Sequence, residues 1–253
     1  MFTKITQFFL LFILSTLAFS SYAKNVVFEY HPKQGYVLIT AKGLTTERIS
    51  PNLRKAITQL QNPHVNIKSL TFTPDGKGWS LITEHKNQNE NVSAEYLQAL
   101  QKLQAKGASI QTVTFNPTGW ESKQGFLIVH SKGYIAHNIP VSLKNQLDAF
   151  NNQTQHIKIV RFTPDGGWTI ISAQQEWSRM IQGKTQNFLD NIHVAYQERR
   201  DTWAVGFNPK NYSSQFGWLI ITDKGYGGLN IPASLKQALA QSGIKNLQKQ
   251  DVQ

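Results

Sequence analysis

The 253-residue chain contains no cysteine, and this absence excludes several kinds of chemistry at once. Without a thiol there can be no disulfide, no cysteine nucleophile, no thiolate ligand for a metal and no acceptor for a lipoprotein anchor. The seven histidines show no spacing typical of a zinc site, so no metal or other cofactor is expected. Nucleotide-binding glycine fingerprints and the Gly-x-Ser-x-Gly elbow are also missing, which disfavours an enzyme without deciding the question.

Long hydrophobic runs are scarce, and the N-terminus has the clearest one. An apolar stretch from Phe8 to Phe19 follows a positive charge, and small residues at Ser21 and Ala23 fit a cleavage site. We therefore expect residues 1–23 to be a cleaved signal peptide, because a membrane anchor, the alternative, needs about 20 apolar residues. No later run is long enough to span a membrane. Export without disulfides predicts a bacterial protein that is secreted or periplasmic.

Acidic residues are few compared with basic ones, 15 against 26, and the net charge is +11. This balance favours anionic partners, and it is also compatible with an evenly charged, solvated surface. The basic residues are scattered, whereas nucleic-acid grooves cluster theirs, so a nucleic-acid partner is not favoured. The expected partner is a glycan, an anionic envelope component or a protein, and the oligomeric state is left open.

The sequence does contain a repeated motif, an aromatic residue followed two positions later by proline. It recurs at intervals of 42 to 47 residues, and such periods indicate a repeat architecture. The five pairs are Tyr30 and Pro32, Phe72 and Pro74, Phe115 and Pro117, Phe162 and Pro164, and Phe207 and Pro209. We expect a single domain, residues 24–253, because one such unit cannot bury its own apolar surface. Its five repeats would span about 24–62, 63–106, 107–154, 155–199 and 200–247.

Each repeat reads as strand, turn, strand and helix. Residues 162–168 have the sequence Phe-Thr-Pro-Asp-Gly-Gly-Trp, whose Pro-Asp-Gly favours a tight turn between two β-type runs. A helical pattern follows, as in Ile231 to Leu239, where apolar residues have helix spacing and proline stands in the first turn. Odd repeats carry an additional Lys-Gly element, which predicts a short third strand in those repeats.

The hairpin of residues 162–168, with one residue more in 72–79, resembles the repeats of TolB-type and prolyl-oligopeptidase-type β-propellers. Five strand-and-helix units are also similar to the α/β propeller of the pentein kind. Catalytic penteins depend on a cysteine, so their guanidine-modifying activity is not expected here. We predict an α+β repeat protein, a closed propeller-like ring of five units with sheets inside and helices outside. The alternatives are an open curved repeat stack and a five-bladed β-propeller.

Aromatic and basic residues supply the candidate binding site. Tryptophans that recur at one repeat position, Trp79, Trp168 and Trp218, are expected to pack in the core. Residues in loops peculiar to odd repeats are expected to be exposed and to bind a ligand, because loops commonly carry function. These are Trp120, Tyr134, Tyr212 and Tyr226. Three lysines at one repeat position, Lys42, Lys132 and Lys224, could add cationic contacts, although solvated lysines are the alternative.

The sequence favours a non-enzymatic binding module that displays odd-repeat loops. Asp75 and Asp165 stand in Pro-Asp-Gly, where aspartate is first of all a turn residue, so they are not expected to be catalytic. The alternatives are a cell-wall or polysaccharide hydrolase with carboxylates from different repeats, and a structural or assembly protein. No catalytic residue can be named from the sequence.

Overall fold

The computed structural model describes residues 26–60, 65–152, 156–172, 176–179, 186–209 and 216–247. These residues form fifteen strands and six helices. The strands are β1 (Val27–His31), β2 (Gly35–Thr40), β3 (Gly43–Glu47), β4 (Ile67–Phe72), β5 (Trp79–Thr83), β6 (Asn87–Glu90), β7 (Ile110–Phe115), β8 (Phe126–His130), β9 (Gly133–His137), β10 (Ile157–Phe162), β11 (Trp168–Ser172), β12 (Glu176–Arg179), β13 (Thr202–Phe207), β14 (Trp218–Thr222) and β15 (Tyr226–Leu229). The helices are α1 (Pro51–Leu60), α2 (Ala94–Ala105), α3 (Trp120–Lys123), α4 (Val141–Asn152), α5 (Gln186–Gln197) and α6 (Ala233–Gln241).

Every repeat contributes one antiparallel sheet of three strands in chain order. The aromatic anchor that ends the first strand lies opposite the aromatic residue that begins the second strand or stands next to its start. These cross-strand pairs are Tyr30 with Tyr36, Phe72 with Trp79, Phe115 with Phe126, Phe162 with Trp168, and Phe207 with Trp218. Facing aromatic residues stabilise an antiparallel pair, so the repeated motif fixes the register of each hairpin. Five such sheets fit a five-bladed β-propeller-like fold.

The prediction of a third strand in odd repeats only is wrong. The second and fourth repeats also form one, β6 and β12, which pair with β5 and β11. The sequence of β6, Asn-Gln-Asn-Glu, has no apolar residue and therefore no strand periodicity to detect. Its pairing depends on backbone hydrogen bonds to a hairpin that is already in place, and these do not require apolar side chains.

The helices pack against two sheets, that of their own repeat and that of the next. Leu53 and Ile57 of α1 share a buried cluster with Val37 of the first sheet and with Leu70 and Leu81 of the second. The same arrangement recurs along the chain through α2, α4 and α5. Each repeat thus completes its core with apolar side chains from its neighbour, as expected for a repeat too small to fold alone.

The first strands of the sheets contact one another in chain order, and β13 also contacts β1. One buried cluster contains Leu219 and Leu235 of the last repeat together with Phe28 and Leu38 of the first. Gly206 belongs to this contact, because a Cβ atom there would lie 2.5 Å from the Phe28 ring. The absence of a side chain at position 206 therefore lets the two terminal repeats approach closely.

Side-chain hydrogen bonds hold the turns between first and second strands. Thr73 Oγ1 accepts from Gly78 N at 2.7 Å and donates to Asp75 Oδ1 at 2.6 Å. Asp165 accepts an equivalent hydrogen bond from Thr163 Oγ1. The prediction that these aspartates are turn residues is therefore confirmed. Within the described part of the chain, no helix is both long and apolar enough to cross a membrane.

Candidate ligand-binding cavity

A cavity of about 640 Å³ lies where the turns after the first strands meet. All five repeats line it with the same two residue types, their aromatic anchor and the proline that follows. The lining aromatic residues are Tyr30, Phe72, Phe115, Phe162 and Phe207, and the prolines are Pro32, Pro74, Pro117, Pro164 and Pro209. The aromatic residues are between 5 and 9% exposed, so only a small part of each reaches the cavity.

The residue immediately before each aromatic anchor also lines the cavity, and here the repeats differ. Successive strand residues point to opposite faces of a sheet, so this residue and the anchor lie on opposite faces of their sheet. The five residues are Glu29, Thr71, Thr114, Arg161 and Gly206. One repeat position thus places an acid, a base and two hydroxyl groups around the same space.

Glu29 and Arg161 form an ion pair between the first and the fourth repeat. Arg161 Nε lies 3.3 Å from Glu29 Oε2, and the two side chains are 12 and 15% exposed, respectively. Two hydrogen bonds also position the Arg161 guanidinium. Its Nη1 donates to Val160 O at 3.0 Å and to Thr112 Oγ1 at 3.2 Å. Burial raises the pKa of Glu29 to about 7, although the nearby Arg161 charge acts in the opposite direction.

Trp120 lines the same cavity, but the prediction that it is exposed is wrong. Its side chain is 7% exposed and contacts the Phe115 ring edge-on, with 5.3 Å between the ring centroids. The longer turn of the third repeat forms the short helix α3 and folds back over the anchor, which buries the indole. Glu121 and Ser122, which follow it, are exposed and also line the cavity.

Tyr226 is also buried, at 5% exposure, and the expectation that it would be exposed is wrong. It packs in the cluster that joins the last repeat to the first, because the chain after α6 returns to pair with it: Tyr226 N donates to Lys245 O. Tyr134 is half-buried and its hydroxyl donates to Asp148. Burial and this carboxylate raise the pKa of Tyr134 to about 12. Tyr212 lies outside the described residues.

The three lysines lie at the turns between second and third strands, which form the opposite end of each sheet from the cavity. Lys132 and Tyr134 line a separate space of about 290 Å³ with His130 and His156. Lys224 lines another of about 220 Å³. The structure therefore does not bring the six described site residues of the prediction together, and the binding role of all seven stays a prediction.

Two of these lysines contact the C-terminus of a helix in the neighbouring repeat. Lys132 Nζ donates to Lys106 O, just after α2, at 3.3 Å, and Lys42 Nζ donates to Gln241 O, in α6, at 3.2 Å. The last carbonyl groups of a helix have no partner within it and carry partial negative charge. Lys224 instead lies 3.3 Å from the carboxylate of Asp223.

Substitutions of these lysines test whether they stabilise the protein by capping a helix or are only solvated surface residues. We expect Lys42→Met and Lys132→Met each to lower the free energy of unfolding by about 0.5 kcal/mol, through loss of the charge at a helix C-terminus. Lys224→Met is the matched control and should change it less, because an exposed ion pair contributes little. Urea denaturation measures all three. An equal loss in the control would show that helix capping is not the cause.

The prediction of a core role for the repeated tryptophans is confirmed. Trp79, Trp168 and Trp218 are 6, 5 and 1% exposed. The indole N–H of Trp79 donates to Glu90 Oε2 at 2.7 Å, and that of Trp168 donates to Ser142 Oγ at 3.2 Å. Among the described residues, no group of three or more histidine, aspartate or glutamate side chains could hold a metal ion.

Sequence reasoning missed Glu29 and Arg161, which are the central charges of the cavity. Aligning the repeats on their aromatic anchors would have placed both at one position, the residue before the anchor. Strand alternation assigns that position to a single face of each sheet. That an acid and a base from non-adjacent repeats meet there follows only from the arrangement of the sheets.

The sequence matches no protein-family model, and no curated protein matches it. The chain is similar to the solved structure of YCF48 bound to D1 peptide, at 8% identity and a TM-score of 0.28, over 83% of this chain and 67% of that one. It is also similar to the β-propeller domain of Cps50 (Swd1) from Myceliophteria thermophila, at 10% identity and a TM-score of 0.28, over 85% and 66%. The WD40 domain of SCAP from fission yeast gives 9% identity and a TM-score of 0.23, over 82% and 50%. TM-scores this low carry no weight for fold or function, which rest on the sheets and the cavity.

Proposed function

We propose that this protein is a non-enzymatic binding module that holds a segment of a protein partner in its central cavity. One observation carries the proposal: all five repeats line a single space of about 640 Å³ with the same aromatic and proline residues. A concave site with apolar walls and a few convergent polar groups is the usual form of a ligand site. The repeats therefore build one site together, and the contribution is not restricted to the odd repeats.

The chemistry of the walls favours a protein segment over a glycan. Sugar rings bind by stacking on exposed aromatic faces, whereas every lining aromatic ring here is at most 9% exposed. The aromatic residues and prolines offer apolar contacts suited to aliphatic side chains, and Thr71 and Thr114 add polar groups to the lining. Both partner classes are compatible with the net charge of the chain.

Closure of the five blades into a ring is part of the proposal. It is supported by the contact between β1 and β13 and by the ion pair that joins Glu29 to Arg161. Ser234 Oγ also donates to Glu47 Oε2 at 2.6 Å, which links α6 of the last repeat to β3 of the first. A closed ring gives the cavity a rigid wall on every side, and rigidity lowers the entropic cost of binding.

Export of the protein by a bacterium, to the periplasm or beyond, is also proposed. Its support is the sequence of residues 1–23, with its charged start, apolar core and small residues before the cleavage position. The complete absence of cysteine and the lack of a later apolar run agree with it. N-terminal sequencing of the protein recovered from the envelope would identify the cleavage position.

A matched pair of substitutions on α3 tests the site. Ser122 lines the cavity and Lys123 does not, although both are exposed on the same short helix. Peptides selected from a displayed library by the purified protein should bind Ser122→Trp at least about tenfold more weakly, because the indole blocks the mouth. They should bind Lys123→Trp with unchanged affinity. Isothermal titration calorimetry measures both, and circular dichroism checks the fold.

Two outcomes would contradict the proposal. One is that the selected peptides bind Ser122→Trp and the unmodified protein equally well, which would place their site elsewhere. The other is that a glycan array gives binding that Ser122→Trp removes while no peptide is selected. Equal binding to Ser122→Trp would exclude the cavity as the site. Glycan binding without peptide selection would exclude a protein segment as the ligand.

One observation favours a second candidate function, a hydrolase. Glu29, Asp75 and Glu121, from three different repeats, line one cavity, and burial raises the pKa of Glu29 to about 7. A carboxyl group with such a pKa can act as a general acid near neutral pH. Release of fragments from cell-wall or polysaccharide substrates that Glu29→Gln abolishes would support this function over binding alone.

A further inference from the structure

The central cavity has apolar walls and a polar interior. The prolines lie in the turns, while Glu29, Thr71, Thr114 and Arg161 stand further back along the first strands. At the fifth equivalent position, Gly206 contributes no side chain. A ligand group that enters from the turns would pass the proline and aromatic walls before it reaches the polar residues. This order fits a long side chain with an aliphatic stem and a polar end.

The charged residues that line the cavity indicate the charge of the ligand's polar end. Three carboxylates line the cavity, those of Glu29, Asp75 and Glu121, against one cation, Arg161. The whole chain has the opposite excess, with 26 basic and 15 acidic residues. Among the described lining residues acidic groups therefore outnumber basic ones, which favours a positively charged ligand group.

The contacts of the Glu29–Arg161 ion pair leave Glu29 able to accept hydrogen bonds. Arg161 is held by Val160 O and Thr112 Oγ1, so its position does not depend on Glu29. Glu29 Oε2 lies 3.3 Å from Arg161 Nε in the ion pair, and it makes no hydrogen bond among the described residues. A carboxylate has about four acceptor sites, and one ion pair leaves acceptor capacity that the donors of an ammonium or guanidinium group can use.

We propose that the cavity selects a protein segment that presents a lysine or arginine side chain. The aliphatic stem packs against the prolines and aromatic residues of the lining, and the cationic end binds Glu29. Asp75 and Glu121 add attraction along the path of entry. This inference rests on the proposed function and names the chemistry that the same site recognises.

A host peptide with one variable position tests this selectivity. The probes are acetyl-Ala-Leu-Ala-X-Ala-Leu-Ala-amide with lysine, arginine, norleucine or glutamate at X. Norleucine keeps the aliphatic stem of lysine and removes the charge. We expect the lysine and arginine peptides to bind the purified protein about tenfold more tightly than the norleucine peptide, which corresponds to one charge-assisted contact. The glutamate peptide should bind more weakly still.

Carboxamide variants locate the charge that is responsible. Glu29→Gln and Glu121→Gln should each reduce the preference for lysine over norleucine. Glu95→Gln is the matched control, since Glu95 is exposed in the first turn of α2 and does not line the cavity. Glu121 is also exposed, so its variant keeps the test valid if Glu29→Gln fails to fold.

Proton release provides an independent readout. Burial raises the pKa of Glu29 to about 7, and a cation bound beside it would lower that pKa. Binding of the lysine peptide near pH 6.5 should therefore release protons, and its enthalpy should vary with the ionisation enthalpy of the buffer. Binding of the norleucine peptide should release none.

The outcomes separate this inference from the proposed function. If the norleucine peptide binds as tightly as the lysine peptide, and Ser122→Trp weakens both, the cationic preference is wrong and the binding site stands. If the lysine preference persists in both Glu29→Gln and Glu121→Gln, the inference is also overturned. If Ser122→Trp weakens no peptide, the proposed site itself is wrong.

Discussion

Phe28→Ala is expected to lower the free energy of unfolding by about 3 to 5 kcal/mol, the cost of removing a buried aromatic side chain. The ring is 1% exposed and lies in the cluster shared by the first and last repeats. Its partners include Leu219 and Leu235, which are close to it only if the two ends of the chain pack together. Urea denaturation followed by tryptophan fluorescence measures the loss.

A comparison with Phe188→Ala makes this result a test of ring closure. Phe188 is 0% exposed and lies in the cluster between the fourth and fifth repeats, which are consecutive in the chain. In a closed ring the two contacts are equivalent, so both variants should lose similar stability and unfold in one transition. A loss in Phe188→Ala with almost none in Phe28→Ala would show that the terminal repeats do not pack, and would favour an open stack.

The second large effect is a dependence of stability on pH that comes from Glu29. Its pKa in the folded protein is about 7, above the ordinary value of 4.5. The folded state therefore holds the proton more tightly than the unfolded state, and the free energy of unfolding falls as the pH rises from 4.5 to 7. A shift of this size corresponds to roughly 3 kcal/mol, with the stabilising contribution present at the acid end of the range.

The difference between the unmodified protein and Glu29→Gln isolates this contribution. Glu176, whose pKa burial also raises to about 7, is present in both proteins and cancels. The charged groups at the cavity, Arg161, Asp75 and Glu121, are common to both as well. The variant should become more stable relative to the unmodified protein as the pH rises from 4.5 to 7.

Glu95→Gln, exposed on α2, should follow the unmodified protein across this range. Urea midpoints at a series of pH values provide the measurement. A constant difference between Glu29→Gln and the unmodified protein would mean that Glu29 ionises as readily in the folded state as in the unfolded state. In that case burial would not govern its carboxyl group.

Much of the fold could be predicted from the sequence, because the features that carry it are local. The spacing of aromatic residue and proline indicated the number of repeats, and Pro-Asp-Gly indicated the hairpins of the second and fourth repeats. The recurrence of Trp79, Trp168 and Trp218 at one position gave their place in the core. The third strands β6 and β12 could not be predicted, because polar edge strands have no hydrophobic period.

Less of the candidate site could be predicted. The loop positions of Trp120 and Tyr226 suggested that both side chains are exposed, but the surrounding chain buries them. Burial depends on which other segments pack against a residue, and a local pattern does not show this. The shared position of Lys42 and Lys132 was a real signal, yet their described contacts are with the carbonyl groups of neighbouring helices. Residues at equivalent positions of a repeat have similar surroundings. A residue type that recurs there can therefore stabilise the fold as readily as it can bind a ligand.

The sequence by itself determined the period, the composition of each repeat and the chemistry that a cysteine-free chain lacks, since these depend on residue identity and spacing alone. Only the tertiary structure decided which ends of the strands share a cavity, and that Glu29 of the first repeat lies beside Arg161 of the fourth. These residues are far apart in the chain and in non-adjacent repeats. Their distance is set by how successive sheets pack against one another, and no local pattern of residues records that geometry.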